Sequence, residues 1–202
     1  ETRWGMEGGR LRFEATELTE VKKGNIWWKR KFEGPLRVEF DYQSATEEGL
    51  TMFWFMADGR EGKDLLKQKR SGDYLEYVKG GMNGYHVSFH RLGSGLSNLR
   101  KSYGFHLLSS APEPIPGKDL DMHRVAVSVL GNRIVVEVDG KTVHDFTDQG
   151  QPCEAGAEWV HEVPCQGSGP IYTKGYLGLR HTDKQVAWYD NFRVWRMKRR
   201  AG

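Results

Sequence analysis

The sequence predicts an all-β protein, with two antiparallel sheets packed as a sandwich or jelly roll. Three observations carry this. Apolar and polar residues alternate along many short segments, the turns between several of them are explicit, and no stretch of convincing length has helical periodicity. Strands and long helices do not alternate, which argues against a parallel sheet.

The elements follow in order. LRFEA (11–15), NIWWKRK (25–31), LRVEFDYQ (36–43) and LTMFWFMA (50–57) read as the first strands. EGKDLLKQKR (61–70) is a charged stretch with room for one or two helical turns in a loop. GYHVSFHR (84–91) is the next strand, and NLRK (98–101), beside glycine and serine, is expected as a loop or an edge strand. APEPIPGKD (111–119) holds three prolines, so it cannot be a central strand and is expected to cross between sheets. HRVAVSVLG (123–131), RIVVEVDG (133–140) and KTVHDF (141–146) form a meander. In it Val125, Val127 and Val129 share one face, as do Ile134, Val136 and Val138. VDGK is a two-residue Asp-Gly hairpin suited to a type I′ turn. GYLGLRH (175–181) and QVAWYDNFRVWRM (185–197) complete the set.

Composition bounds the rest. The chain has 202 residues, a usual length for one all-β domain, and we expect residues 1–202 to form a single one. Its 25 glycines and its 7 Trp, 8 Tyr and 9 Phe suit many turns and aromatic-lined surfaces. The net charge of +3 is modest and partly terminal, at Lys198, Arg199 and Arg200. No basic helix, zinc-finger or RNA-binding motif is present, so nucleic acid is not an expected partner. No apolar run approaches the roughly 20 residues that span a bilayer, so no membrane insertion is expected. The chain starts at Glu1 rather than at methionine, which fits a removed leader. Cys153 and Cys165 lie in one glycine-rich segment. They read as a loop-closing disulfide in an oxidising compartment, the other reading being two free thiols. Both features point to a periplasmic or secreted protein.

The candidate chemistry gathers in NGYHVSFHRLGSGLSNLRKSYGFH (83–106). Alternation puts Tyr85, Val87 and Phe89 on one face of the strand and His86, Ser88 and His90 on the other. Two imidazoles four residues apart on a strand are about 13 Å apart, too far for one metal ion but within the length of an oligosaccharide groove. The plain reading of each is a solvated surface histidine. His106, Arg100, Lys101 and Asn98 lie near in sequence and tilt the reading toward a site. Arginine pairs with a carboxylate through its planar fork, lysine adds a point charge and Asn98 an amide donor. Such a set neutralises a uronic-acid carboxylate and acidifies the neighbouring carbon-bound proton. His86 or His106, as base or acid, can then drive an elimination. Tyr85 serves only if the register turns it outward. The bland alternative is a solvated basic loop. Trp54 is a candidate sugar platform or else core, and either Arg180 or His181, but not both, should face the groove.

A hydrolase needs two carboxylates about 5 to 9.5 Å apart. Glu39 and Asp41 of EFD share a face, whereas Asp139 of EVD is a turn residue; Glu76 is a further lone acid. No GxSxG elbow, P-loop or GxGxxG unit occurs.

The string HRVAVSVLGNRIVVEVDGKTVHDF, with GYLGLRH and YDNFRVWRM, resembles the C-terminal half of concanavalin A-like lectin/glucanase domains. More narrowly, WGMEGG, NGYHVSFHR and SNLRKSYGFHLL resemble the YesU-like family, catalogued as of unknown function and found among bacterial polysaccharide-degradation genes. The resemblance covers nearly the whole chain, and the Cys153–Cys165 segment is not among the parts that carry it. It implies a concanavalin A-like jelly roll whose concave face meets sugar, and a carbohydrate-active lyase or dehydratase, a glycosidase, or a carbohydrate-binding module. It implies no cofactor. A structural calcium ion is frequent in this fold, but no Asp-rich loop marks one here.

Overall fold

The computed structural model describes residues 2–15, 23–73, 75–78, 80–90, 93, 95–150, 170–182 and 184–198. Thirteen strands are described: β1 Thr2–Glu7, β2 Arg10–Ala15, β3 Lys23–Glu33, β4 Leu36–Ser44, β5 Leu50–Gly59, β6 Met82–Phe89, β7 Leu96–Ser102, β8 His106–Pro112, β9 Met122–Leu130, β10 Arg133–Val138, β11 Lys141–Thr147, β12 Lys174–Thr182 and β13 Val186–Arg196. A 3-10 turn, Leu65–Lys67, and a one-turn helix α1, Leu75–Val78, lie between β5 and β6.

The strands form two antiparallel sheets. One has seven strands in the order β1-β2-β13-β4-β9-β10-β11, the other six in the order β3-β12-β5-β6-β7-β8. The residues expected to alternate inward do so. Phe40 and Tyr42 of β4, Val125 to Val129 of β9 and Ile134 to Val138 of β10 meet Phe53, Phe55, Val87, Phe89, Leu177 and Leu179 of the other sheet. The adjacent tryptophans of β3 divide as alternation demands. Trp28 stacks on Phe192 in this core at 4.2 Å, while Trp27 packs with Trp54 on the opposite side of the sheet. Asp139 and Gly140 both take positive φ, +50° and +75°, as a type I′ turn requires. The proline-bearing segment after β8 carries the chain from the six-stranded sheet to β9 of the seven-stranded one, as expected.

Four strands depart from the expectations. β1 and β8 were not anticipated, and NLRK belongs to β7, an inner strand paired to both β6 and β8. Its glycine and serine flanks hide the strand, but the pairing on both sides satisfies its backbone. β6 also stops short of the expected span, ending at Phe89, and His90 takes φ +54°. Cys153, Cys165 and Trp159 lie outside the described residues.

Candidate functional site

Residues directly opposite one another in antiparallel strands project to the same side of a sheet. The register therefore defines two rows on the outer face of the six-stranded sheet. The first runs Trp27, Gly178, Trp54, His86, Arg100 across β3, β12, β5, β6 and β7. The second runs Asn25, Arg180, Met52, Ser88, Asn98, Ser110 and reaches β8. Gly178 has no side chain because Trp27 lies on it: a Cβ there would stand 2.5 Å from the indole. So Trp54, His86, Asn98, Arg100 and Arg180, from four strands, share the face away from the core. Ser110 Oγ donates to Asn98 Oδ1 at 2.9 Å.

This face is not open. The described residues between Arg60 and Gly81 fold over one side of it, anchored by Gln68 and by the backbone of Arg60 on the Gly81 carbonyl. Leu65 and Tyr77 pack with Trp54, Ala57 and Met82 in a second small apolar cluster. On the other side, Phe105 lies 4.2 Å from the Arg100 guanidinium, and its carbonyl accepts from Arg100 Nη1. As a result Trp54 is 1% exposed, Arg180 1%, His86 2% and Arg100 8%. Burying polar groups this deeply costs free energy unless they are paired, and here several are not. His86 Nδ1, Trp54 Nε1, Arg180 Nη1 and Asn25 Oδ1 have no hydrogen-bond partner among the described residues. The His86 and Trp54 rings are 4.2 Å apart. Arg180 stacks 4.0 Å over Tyr77 and donates from Nη2 to the Gly72 carbonyl at 2.8 Å. Asn25 Nδ2 donates to the same tyrosine's hydroxyl at 2.6 Å. Glu76 holds this cover in shape by accepting from the Ser71 and Gly72 amides.

The electrostatics follow from this geometry. Burial, then Arg100 and Arg180, push His86 well below its ordinary pKa, so the imidazole is neutral at pH 7. Burial also lowers Arg180, opposed by Tyr77 and Glu76, but a guanidinium stays charged. Burial raises Tyr77, opposed by Arg180 and Arg70, so its hydroxyl keeps its proton. A cavity of about 260 Å³ adjoins the row, lined among others by Asn25, Trp27, Gln68, Arg70 and Tyr77. Asn25, Gln68, Arg70, Tyr77 and Phe105 were not in the sequence-derived set, and nothing local marks them.

The other expected site residues lie elsewhere. Tyr85 and Lys101 point between the sheets. Tyr85 Oη donates to Asp148 Oδ2 at 2.5 Å and Lys101 Nζ to the same oxygen at 2.6 Å. They form a buried ion cluster, because β7 is a strand and its alternation sends Lys101 opposite to Arg100. His106 faces Lys101 across β7 and β8 and so lies on the other side of the sheet from His86. His90 does not share the face of His86: with its positive φ, its ring turns to the Thr46 carbonyl at 2.8 Å and to Tyr42. His181 is inward, stacked on Phe13 at 4.1 Å and bonded to Tyr189 Oη, which leaves Arg180 as the member of its pair on the outer face. Trp54 is on the expected face, but Tyr77 and His86 cover it, so it is no open platform. Glu39 and Asp41 lie on the outer face of the seven-stranded sheet. There Arg37 binds Glu39, and Arg124 and Asn191 bind Asp41. Neither row of the six-stranded sheet contains an Asp or Glu. Among the described residues no group of three or more His, Cys, Asp or Glu is placed to hold a metal ion. No helix among them is long and apolar enough to cross a membrane.

Comparisons with known proteins fit this architecture. The solved structure of a protein of unknown function with a galectin-like fold from Bacillus subtilis superposes with a TM-score of 0.82 at 26% identity, covering 98% of this chain and 88% of the other. The carbohydrate-binding module CBM66 from Bacillus subtilis shares the fold at a TM-score of 0.58 and 13% identity, over 96% of this chain and 91% of that one. The uncharacterized protein YesU of Bacillus subtilis (strain 168) is 32% identical over 212 residues, 98% of this chain and 90% of its own. A family model described as a domain of unknown function (DUF1961) matches residues 2–194, and the chain belongs to that family.

Proposed function

We propose that the protein binds an acidic, uronic-acid-containing poly- or oligosaccharide on the outer face of the six-stranded sheet and acts on it by β-elimination, as a polysaccharide lyase or an oligosaccharide dehydratase. One observation carries the reading. A neutral His86 with an unpartnered Nδ1 lies buried near Arg100 and Arg180, and Arg180 has an unpartnered donor of its own. A buried cation with a spare donor is matched by an anionic ligand. Arg180 and Arg100 hold the carboxylate, which lowers the pKa of the carbon-bound proton beside it. His86 Nδ1 takes that proton. The C–O bond on the next carbon then breaks as the carbon–carbon double bond forms, and the leaving oxygen receives a proton. Tyr77, kept protonated by burial, is the donor for that step. Arg180 thus takes the carboxylate-holding place that Lys101 was expected to fill. Ligand entry requires the Arg60–Gly81 segment or the Phe105 turn to move aside, because His86 is sealed beneath them.

Hydrolysis by a carboxylate pair is not favoured, since Glu39 and Asp41 stand on the other sheet, in ion pairs. The second reading is a non-catalytic carbohydrate-binding module. The closure over His86 favours it, and so does the fold shared with such a module. A polymeric acidic substrate fits a periplasmic or secreted location. The test is incubation with a panel of uronic-acid oligosaccharides. Elimination gives an unsaturated product that absorbs in the near ultraviolet, and His86→Gln abolishes it. Tight binding with no change of mass establishes the module instead. Neither binding nor turnover on any member overturns the acidic-glycan reading.

A further inference from the structure

A second concavity, of about 440 Å³, opens at the side of the sandwich between β3, the edge strand of the six-stranded sheet, and the end of β13. Its floor is apolar, formed by Phe32, Leu36 and Val194, and its rim carries Arg30 and Arg196, while Trp195, opposite Arg37, projects to the outer face of the seven-stranded sheet. The other two charges of the lining are neutralised locally: Lys31 by Asp58 at 2.5 Å and Glu33 by Lys174 at 3.7 Å. Arg30 lies over the Phe32 ring at 5.2 Å, which orients its guanidinium along the rim. Arg30 and Arg196 have no carboxylate in ion-pair reach among the described residues. Two cations thus flank an apolar floor.

We infer that this concavity is an accessory binding site for an anionic sugar residue of a polysaccharide chain, separate from the face that carries His86. The apolar floor suits the C–H face of a pyranose ring, and the two arginines suit its carboxylate or sulfate. The choice of a glycan over other polyanions rests on the reading of the His86 face. In a processing enzyme such a site keeps a polymer attached while the other face works on it.

The test compares the wild type with the double variant Arg30→Ser/Arg196→Ser and with Trp195→Ala, all at exposed positions. Affinity is measured for polygalacturonate, dextran sulfate, neutral dextran and duplex DNA at one salt concentration. The expected result is binding to polygalacturonate or dextran sulfate but not to neutral dextran. The double variant should bind about tenfold or more weakly, and Trp195→Ala, on the opposite face of β13, should bind like the wild type. The preferred polymer tells carboxylate from sulfate. Binding or turnover of short uronate oligosaccharides by both variants should equal that of the wild type. Unchanged polymer affinity in the double variant, an equal loss in Trp195→Ala, binding of DNA as tight as that of the glycans, or no binding of any polymer overturns the inference. Retained polymer binding without any response to short uronates refutes the reading of the His86 face alone.

Discussion

Strands β6 and β7 each carry polar residues to both sides of one sheet, and the two sides treat them differently. Inward, Tyr85, Lys101 and Asp148 share a 2.5 to 2.6 Å network, and the second Asp148 oxygen accepts from the Gly150 amide. Outward, His86 and Arg100 adjoin Trp54 and Arg180, where three side chains keep buried polar atoms without partners. A satisfied buried cluster fixes the fold, whereas an unsatisfied one retains interaction energy for a ligand. On the function proposed above, the inner charges of this pair of strands serve the fold and the outer ones serve a ligand.

The largest expected effect lies on the inner side. Asp148→Ala leaves Lys101 and Tyr85 buried without their shared acceptor and should cost about 3–5 kcal/mol of stability. Denaturant unfolding measures it, and a loss below about 1 kcal/mol would erase the distinction between the sides. On the outer side, His86→Gln should lower turnover of a uronate substrate by about 10²–10⁴, while stability changes by less than about 1 kcal/mol.

The pH dependence sharpens the comparison from the inner side again. His144 is buried between the sheets, bonded to the Ser97 and Ser109 hydroxyls, and burial lowers its pKa to about 4. The folded pKa lies below the unfolded value. The unfolded chain therefore takes up a proton that the folded chain refuses, and stability is lost as pH falls from about 6.5 to about 4. The loss is at most about 3 kcal/mol for this residue, and His144→Gln should flatten that part of the stability profile. His181, lowered to about 3 by burial, contributes in the same direction.

The smallest effect tests the claim about unpaired charge. Arg180→Met replaces a buried, carboxylate-free cation with an apolar chain of similar length and should leave stability unchanged or slightly raised. Uronate affinity should nevertheless fall about tenfold or more. A large loss of stability would show that Arg180 serves the fold instead.

Much of this was legible in the sequence, for reasons that differ by region. Alternation located the valine-rich strands, the split of Trp27 from Trp28 and the outward turn of His86, because each depends on strand geometry alone. Asp139-Gly140 specified its hairpin through two left-handed residues. Alternation would also have separated Arg100 from Lys101, but only once 98–101 is treated as a strand. Leu99 is the lone strong apolar residue there, so the pattern is too short to show it. Arg70, Tyr77 and Phe105 were illegible, since they reach the site from a loop segment and a turn placed by tertiary packing. His90 and His181 carry suitable chemistry, but one faces away through a positive φ and the other through strand parity.

The most direct measurement is a product mass spectrum of uronic-acid oligosaccharides after incubation with wild-type protein, with His86→Gln alongside. Loss of one water, or chain cleavage without gain of water, in the wild type alone is the predicted result. Cleavage with gain of water, or the same products from the variant, would contradict it.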